Sequence, residues 1–85
     1  MNEIERELMN FIRPMSFKSK PWKAIDLAVR HFNEMGYQAE SIRGKYIKIN
    51  GTEYEVSHNL NTLRWRLRRM DWGQDVGLPA FEIDV

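Results

Sequence analysis

The sequence predicts an α+β fold of two layers, in which two helices pack on one face of a three-stranded antiparallel sheet. Apolar residues keep helical spacing over 21–35, alternate over 37–56, and return to helical spacing over 62–72. We therefore expect a single domain over 1–85 built around an αβββα core. That core spans 21–72, with an extra N-terminal helix and connector in 1–20 and an extended C-terminal tail in 73–85.

Composition and charge restrict the class of protein. The 85 residues are 42% hydrophobic, include no cysteine and contain no apolar run of the about 18 residues that cross a membrane. We expect a globular cytoplasmic protein without disulfides or a membrane partner. The net charge of +1 hides a basic centre of net +7 over 13–69, between ends of net −2 over 1–12 and −4 over 70–85. Either the acidic ends pair with this centre, or the centre binds an acidic partner.

Two helices precede the sheet in this prediction. Residues 3–13 carry an apolar stripe with Asn2 as the N-cap, and Pro14 ends the helix. The second helix begins at Pro21, which suits the first helical position, and ends before Gly36. Its expected buried stripe is Trp22, Ile25, Val29, Phe32 and Met35, with Ala24 and Ala28 alongside.

The central segment predicts three strands joined by tight turns. The first strand is expected over 37–42, followed by a turn at Arg43-Gly44. Strands over 45–49 and 52–56 flank Asn50-Gly51, a dipeptide typical of hairpin turns because both residues tolerate positive φ. This turn fixes the register of the two strands. The expected buried face is Ile47, Ile49, Tyr54 and Val56, and the opposite face is Tyr46, Lys48, Glu53 and Glu55.

The segment 62–72 is predicted to be the last helix, with Asn61 as its N-cap. At about 100° per residue, Leu63, Leu67 and Met70 share the face that packs on the sheet. The opposite face then carries Trp65 and Trp72, with Arg64, Arg68 and Arg69 around them.

The two tryptophans of this predicted helix leave three possibilities open. They stack on unpaired bases, anchor a protein partner, or are covered by another part of this chain. The candidate covers are the stripe of Ile4, Leu8 and Phe11, and Leu78 and Phe81 of the tail. Phe81, Ile83 and Val85 alternate, which indicates an edge strand or a docked arm.

Short motifs add a resemblance to a known fold and family. Asn33-Glu34-Met35-Gly36-Tyr37 closes a helix, Arg43-Gly44 leads into a strand, and Val56-Ser57-His58 is followed by Asn61-Thr62-Leu63-Arg64. Together with the predicted element order, these segments resemble the double-stranded-RNA-binding-like fold. Within that fold they look like the HicA-type toxins, which are small mRNA interferases. The resemblance implies that the first half of the last helix faces phosphates.

The chain departs from this family at the nuclease histidine. The family has a Gly-Ser-His-like segment at its second strand, where this sequence has Gly44-Lys45-Tyr46. Lysine and tyrosine have ordinary pKa values of about 10, too high for a base that transfers a proton near neutral pH. His31 and His58 lack metal-ligand spacing, and His58 either orients a phosphate or hydrogen-bonds a loop. We predict no ribonuclease or other enzyme activity, no catalytic residue, no metal and no cofactor.

Basic residues of the second predicted strand and of the last helix are the expected phosphate contacts, because arginine binds phosphate oxygens bidentately. The alternative is that the arginines pair with the acidic ends. The predicted nucleic-acid-binding residues are Arg43, Lys45, Lys48, Arg64, Trp65, Arg66, Arg68 and Arg69. We expect Arg64 and Arg68 in particular to form an exposed basic surface rather than internal ion pairs.

The leading functional hypothesis is a small, non-catalytic domain that binds RNA or DNA. The rival is a protein-binding module or inhibitor, encoded by a phage or mobile element, that uses Trp65 and Trp72 or a free sheet edge. A third possibility, which the family resemblance implies, is a HicA-like mRNA interferase or a catalytically inactive relative.

Overall fold

The computed structural model describes residues 1–70 and 81–85, which form two helices followed by a five-stranded antiparallel sheet. The strands lie across the sheet in chain order. The elements are α1 (Glu3–Ile12), α2 (Pro21–Glu34), β1 (Ala39–Ile42), β2 (Tyr46–Ile49), β3 (Thr52–Asn59), β4 (Arg64–Met70) and β5 (Phe81–Asp84). The predicted α+β class is confirmed. The predicted order of an N-terminal helix, an αβββα core and an extended tail is corrected to ααβββββ.

Helix α1 forms where the sequence predicts it. The Asn2 side chain accepts a hydrogen bond from the Glu5 backbone N–H, and the Glu5 carboxylate accepts one from the Asn2 backbone N–H. This reciprocal capping box satisfies two amides that the first turn would otherwise leave unpaired. Leu8 and Ile12 are fully buried, so the predicted apolar stripe packs on the core.

Helix α2 also confirms its predicted start at Pro21 and end before Gly36, whose φ of +96° only glycine adopts readily. Its buried stripe is Ala24, Ile25, Ala28 and Phe32. The prediction that Trp22 and Met35 are also buried is wrong, because both are about half exposed. They lie at the two ends of the stripe, and the core covers only the middle of the helix.

The predicted Asn50-Gly51 hairpin is confirmed. Both turn residues have positive φ, and the register pairs Ile49 with Thr52 and Ile47 with Tyr54. The predicted buried set is confirmed in full: Ile47, Ile49, Tyr54 and Val56. The Arg43-Gly44 turn between β1 and β2 likewise has positive φ at both residues.

The predicted last helix is wrong. Strand β3 extends to Asn59, and a four-residue turn over 60–63 leads into strand β4, which pairs Asn59 with Arg64 and Val56 with Leu67. Asn59 rather than Asn61 organises the turn, because its side-chain oxygen accepts a hydrogen bond from the Asn61 backbone N–H. The chain then leaves the turn through Leu63, which has a φ of +57°.

A second periodicity in the same residues explains the strand. Trp65 and Leu67 alternate with arginines and are both buried on the helix side of the sheet. A strand buries these two apolar residues together, whereas a helix would separate them by about 200°. Strand β4 also pairs on both sides, with β3 and with β5. Burial and two ladders of backbone hydrogen bonds outweigh the helix propensity of leucine, arginine and methionine.

Of the edge strand and the docked arm that the sequence left open for the C-terminal segment, the structure has an edge strand over Phe81–Asp84. Strand β5 pairs antiparallel with β4 at one edge of the sheet, with Ile83 opposite Leu67. The partly buried Ile83 and Val85 pack against the core. The other predicted features of the arm, and Trp72, lie outside the described residues.

The core lies between the helices and one face of the sheet. Its members are Leu8, Ile12, Ala24, Ile25, Ala28, Phe32, Ile47, Ile49, Tyr54, Val56, Trp65 and Leu67. The described residues place no helix against the opposite face of the sheet, which we call the open face. In the same part of the chain, neither helix combines the length and the apolar composition that crossing a membrane requires.

Candidate nucleic-acid interface

The open face carries stripes of alternating charge. Strand alternation places Lys48 of β2 and three arginines of β4 on this face, because Ile47, Ile49, Trp65 and Leu67 point to the core. The acidic residues Glu53 and Glu55 flank β4 from β3, and Glu82 and Asp84 flank it from β5. With Glu40 of β1, the strands contribute four basic and five acidic side chains to this face. The open face is therefore not a basic surface.

Two of the predicted phosphate-binding arginines are held in ion pairs. Arg68 donates through Nε to Glu82 at 2.9 Å and through Nη1 to Glu55 at 3.1 Å. Arg66 Nε lies 3.4 Å from Asp84 and 3.7 Å from Glu82. The Glu82 and Glu55 carboxylates raise the pKa of Arg68 further above its usual value. The prediction that Arg68 belongs to an exposed, unpaired surface is wrong, because the acidic strands on both sides neutralise it.

Arg69 lies on the other side of the sheet, with α1. It donates through Nη1 to Glu5 at 2.7 Å, and Glu5, which is 2% exposed, also accepts a hydrogen bond from the Tyr54 hydroxyl at 3.2 Å. Burial, together with the negative charge of Glu5, raises the pKa of Tyr54 to about 12. Arg69 is therefore a structural partner of the N-terminal helix.

Trp65 is covered by the chain itself. It is 2% exposed, its indole N–H donates to the Met15 carbonyl at 3.1 Å, and its ring contacts His58 at a centroid distance of 4.4 Å. This outcome corresponds to the covered alternative, although the contacts come from Met15 of the connector after α1 and from His58 of β3. A buried Trp65 cannot stack on a base.

Both histidines are partly buried and contact neighbouring side chains. The His58 ring lies between Phe17 and Trp65, with a centroid distance of 4.4 Å to each, and its Nε2 is buried without a hydrogen-bond partner in the described part of the chain. His31 Nε2 lies 2.9 Å from the Glu7 carboxylate, and its ring stacks on Phe11. Across residues 1–70 and 81–85, no three His, Asp or Glu side chains gather as a metal site would require.

The remaining predicted contacts lie apart from one another. Arg64 is exposed at the start of β4 and has no ion-pair partner among the described residues, as expected. Lys48 lies between Glu40 and Glu53 in the register of the sheet. Lys45 Nζ is 3.6 Å from Glu55. Arg43 is exposed in the β1–β2 turn, next to Gly44.

A surface that the sequence reasoning missed lies beside that turn. Trp22 is 53% exposed in the first turn of α2, and a Cβ atom placed on Gly44 would lie 3.1 Å from the Trp22 Cβ. Lys20 and Lys23 flank Trp22 in the chain, and Arg43 precedes Gly44; all three are exposed. We call Lys20, Trp22, Lys23 and Arg43 the Trp22 patch. None of its three basic side chains has an ion-pair partner among residues 1–70 and 81–85.

A signal for this patch was present in the sequence. Between Glu7 and Asp26 the chain contains four basic residues and no acidic one, and Trp22 stands among the last of them. Helical spacing assigned Trp22 to the core because Ile25 follows three residues later. Spacing does not report where the sheet under a helix ends, and that boundary decides the exposure of a residue in the first turn.

The edge of the sheet at β1 is largely protected. The Asn33 side chain accepts from the Ala39 backbone N–H at 2.9 Å and donates to the Ala39 carbonyl at 3.0 Å, so it occupies the place of a pairing strand. On the β2 side, Asn50 accepts from the Gln38 backbone N–H through its side-chain oxygen and donates to the Gln38 carbonyl through its own backbone N–H. Backbone N–H and C=O groups alternate in direction along a strand, so in β1 the groups of Ala39 and Ser41 point away from β2. Ala39 is bonded by Asn33, whereas the N–H and C=O of Ser41 have no such side-chain partner among the described residues. An open, mostly polar depression of about 490 Å³ adjoins this edge.

Comparison with known protein families, with curated proteins and with solved structures found no match to this chain. The resemblance to HicA-type toxins and to the double-stranded-RNA-binding-like fold stays a prediction.

Proposed function

We propose that this protein is a small, cytoplasmic, non-catalytic nucleic-acid-binding domain whose contact surface is the Trp22 patch. One observation carries the proposal: an exposed tryptophan lies among three exposed basic residues that no described acidic residue neutralises. Lysine and arginine bind phosphates through charge, and an exposed aromatic ring adds contact with a base or sugar. Asp26, one helical turn after Trp22, is the nearest acidic residue along α2 and bounds the patch on that side.

The contacts of both histidines with neighbouring side chains support a binding role without catalysis. A general base needs an accessible nitrogen within hydrogen-bonding reach of its substrate. His58 Nε2 is buried between two aromatic rings, and His31 Nε2 is engaged by Glu7.

The test compares two variants that remove the same charge. One is Lys20→Ala/Lys23→Ala/Arg43→Ala in the patch. The control is Arg6→Ala/Arg30→Ala/Arg64→Ala, which removes three exposed arginines from α1, from the second half of α2 and from the start of β4. Affinity for labelled RNA and DNA strands is measured by fluorescence polarisation between about 50 and about 200 mM salt.

We expect the patch variant to bind weakly and to lower the slope of log affinity against log salt by about two units, since each phosphate contact to a single strand contributes about 0.7. The control should keep most of the slope. Both should melt close to the parent, because exposed substitutions away from ion pairs change stability by about 0.5 kcal/mol or less. A parent protein without affinity for any nucleic acid at about 50 mM salt would refute the proposal, and equal losses in both variants would refute the assigned surface.

A further inference from the structure

We infer, on the basis of the proposed function, that the ligand is a single strand and that one unpaired base stacks on the Trp22 ring. The inference deepens the proposed function because phosphate contacts alone do not distinguish a duplex from a single strand. Trp22 does. A stacking ring needs the open face of a base, and within a duplex the neighbouring base pairs cover that face.

The backbone around Trp22 fixes the position of its Cβ atom, from which the ring extends. The backbone N–H groups of Lys23 and Ala24 donate to the Lys20 carbonyl, and these hydrogen bonds close the first turn of α2, which contains Trp22. Gly44 approaches so closely that a Cβ atom there would lie 3.1 Å from the Trp22 Cβ, and its φ of +65° also favours glycine. Because this backbone is already ordered, stacking of a base on the half-exposed ring does not require the backbone to become ordered.

The position of the basic residues fits a single strand that passes over this ring. Lys20 and Lys23 lie on the α2 side of the Trp22–Gly44 contact, and Arg43 lies on the β1–β2 turn. Phosphates on both sides of a stacked nucleotide would therefore meet a cation. A duplex requires a broader basic surface, and Arg66 and Arg68 of β4 do not supply one because they are paired with Glu55, Glu82 and Asp84.

The experiment uses three probes of one length, about 16 nucleotides: a single strand, a duplex, and a strand whose central bases are replaced by abasic sites. Each is tested as RNA and as DNA, because either supplies the same base and phosphate chemistry. The variants are Trp22→Ala, Trp22→Phe and the control Leu27→Ala, which truncates another exposed apolar side chain of α2. Melting temperatures verify that each variant is folded.

We expect Trp22→Ala to weaken binding to the intact single strand by about 5- to 150-fold, with Trp22→Phe in between and Leu27→Ala unchanged. The salt slope should stay as in the parent, because tryptophan carries no charge. The loss should be small on the duplex and on the abasic strand. If the parent binds the duplex as tightly as the single strand and Trp22→Ala changes neither, the stacking inference is wrong while the proposed function stands. If the parent binds no probe, the proposed function itself fails.

Discussion

Glu5 connects three parts of the molecule through a single buried carboxylate. It caps α1 through Asn2, accepts the Tyr54 hydroxyl from β3 and pairs with Arg69 from β4. Removing a carboxylate from water costs several kcal/mol unless its oxygens are bonded, and here each oxygen has at least one donor. The network therefore fixes α1 on the sheet at a defined position, which apolar packing of Leu8 and Ile12 alone would not do.

The raised pKa of Tyr54 predicts a loss of stability in alkali. The hydroxyl ionises near pH 10 in the unfolded chain but only near pH 12 in the folded protein, so the unfolded state releases its proton first. This contribution to stability is complete below pH 10 and falls as the pH rises to about 12, by up to about 1.4 kcal/mol per pH unit. Urea unfolding of the parent and of Tyr54→Phe across this range measures it.

Tyr54→Phe should lose about 1 kcal/mol at neutral pH, because the hydrogen bond to Glu5 is gone. It should also show a shallower alkaline slope. The two proteins differ only in this hydroxyl, so the difference between the two slopes reports Tyr54. Equal slopes would contradict the buried environment of this hydroxyl.

At the scale of the element, β4 shows what the sequence could and could not predict. Local signals were sufficient for α1, α2 and the β2–β3 hairpin, because Asn2, Pro21 and Asn50-Gly51 each favour one backbone conformation. The residues over 62–72 satisfy both a helical and an alternating pattern. The choice between them depends on pairing with β3 and with β5, and local spacing contains no information about partners so distant in the chain.

The candidate site shows the same limit. Arg43 was predicted, but Trp22 was assigned to the core and Lys20 and Lys23 were not chosen. These residues come together because Gly44 packs against the start of α2, a contact between segments about twenty residues apart. The exposure of Trp22 and the ion pairs of Arg66, Arg68 and Arg69 depend on contacts between segments that are distant in the chain.

Leu63→Asn distinguishes the strand from the predicted helix. Leu63 is 68% exposed and has a φ of +57°, a conformation that costs a bulky residue about 1–2 kcal/mol and that asparagine tolerates. We expect a gain of about 0.5–1 kcal/mol in the free energy of unfolding. In a helix, asparagine would instead be less favourable than leucine. Leu60→Asn is the matched control, since Leu60 is 75% exposed in the same turn without a positive φ, and it should change stability little.

Across the whole molecule, the acidic ends neutralise much of the basic centre. Glu5, near the N-terminus, pairs with Arg69, while Glu82 and Asp84, near the C-terminus, pair with Arg66 and Arg68. Strand β4 is thus the element to which both ends of the chain bind. The positive charge that stays exposed includes the Trp22 patch, on the connector, the start of α2 and the β1–β2 turn.

Arg64→Ala and Arg68→Ala separate structural from binding arginines on one strand. Arg68→Ala leaves the buried Glu55 with Lys45, and Glu82 with Arg66, as the one described ion-pair partner of each, so we expect a loss of about 1–2 kcal/mol in the free energy of unfolding. Arg64→Ala should change it by about 0.5 kcal/mol or less, because Arg64 is exposed and has no described ion-pair partner. Thermal and urea unfolding measure both values.

The same two variants test where nucleic acid binds. Both lose one positive charge from β4, yet neither belongs to the Trp22 patch, so the salt slope of nucleic-acid binding should stay close to that of the parent in each. Lys23→Ala, which also removes one charge, should lower the slope by about 0.7 units on a single strand. If Arg64→Ala lowers it as much and Lys23→Ala does not, the phosphates lie along β4, as the sequence first indicated. Strand β4 would then contribute both to stability, through the ion pairs of Arg68, and to binding, through phosphate contacts of Arg64.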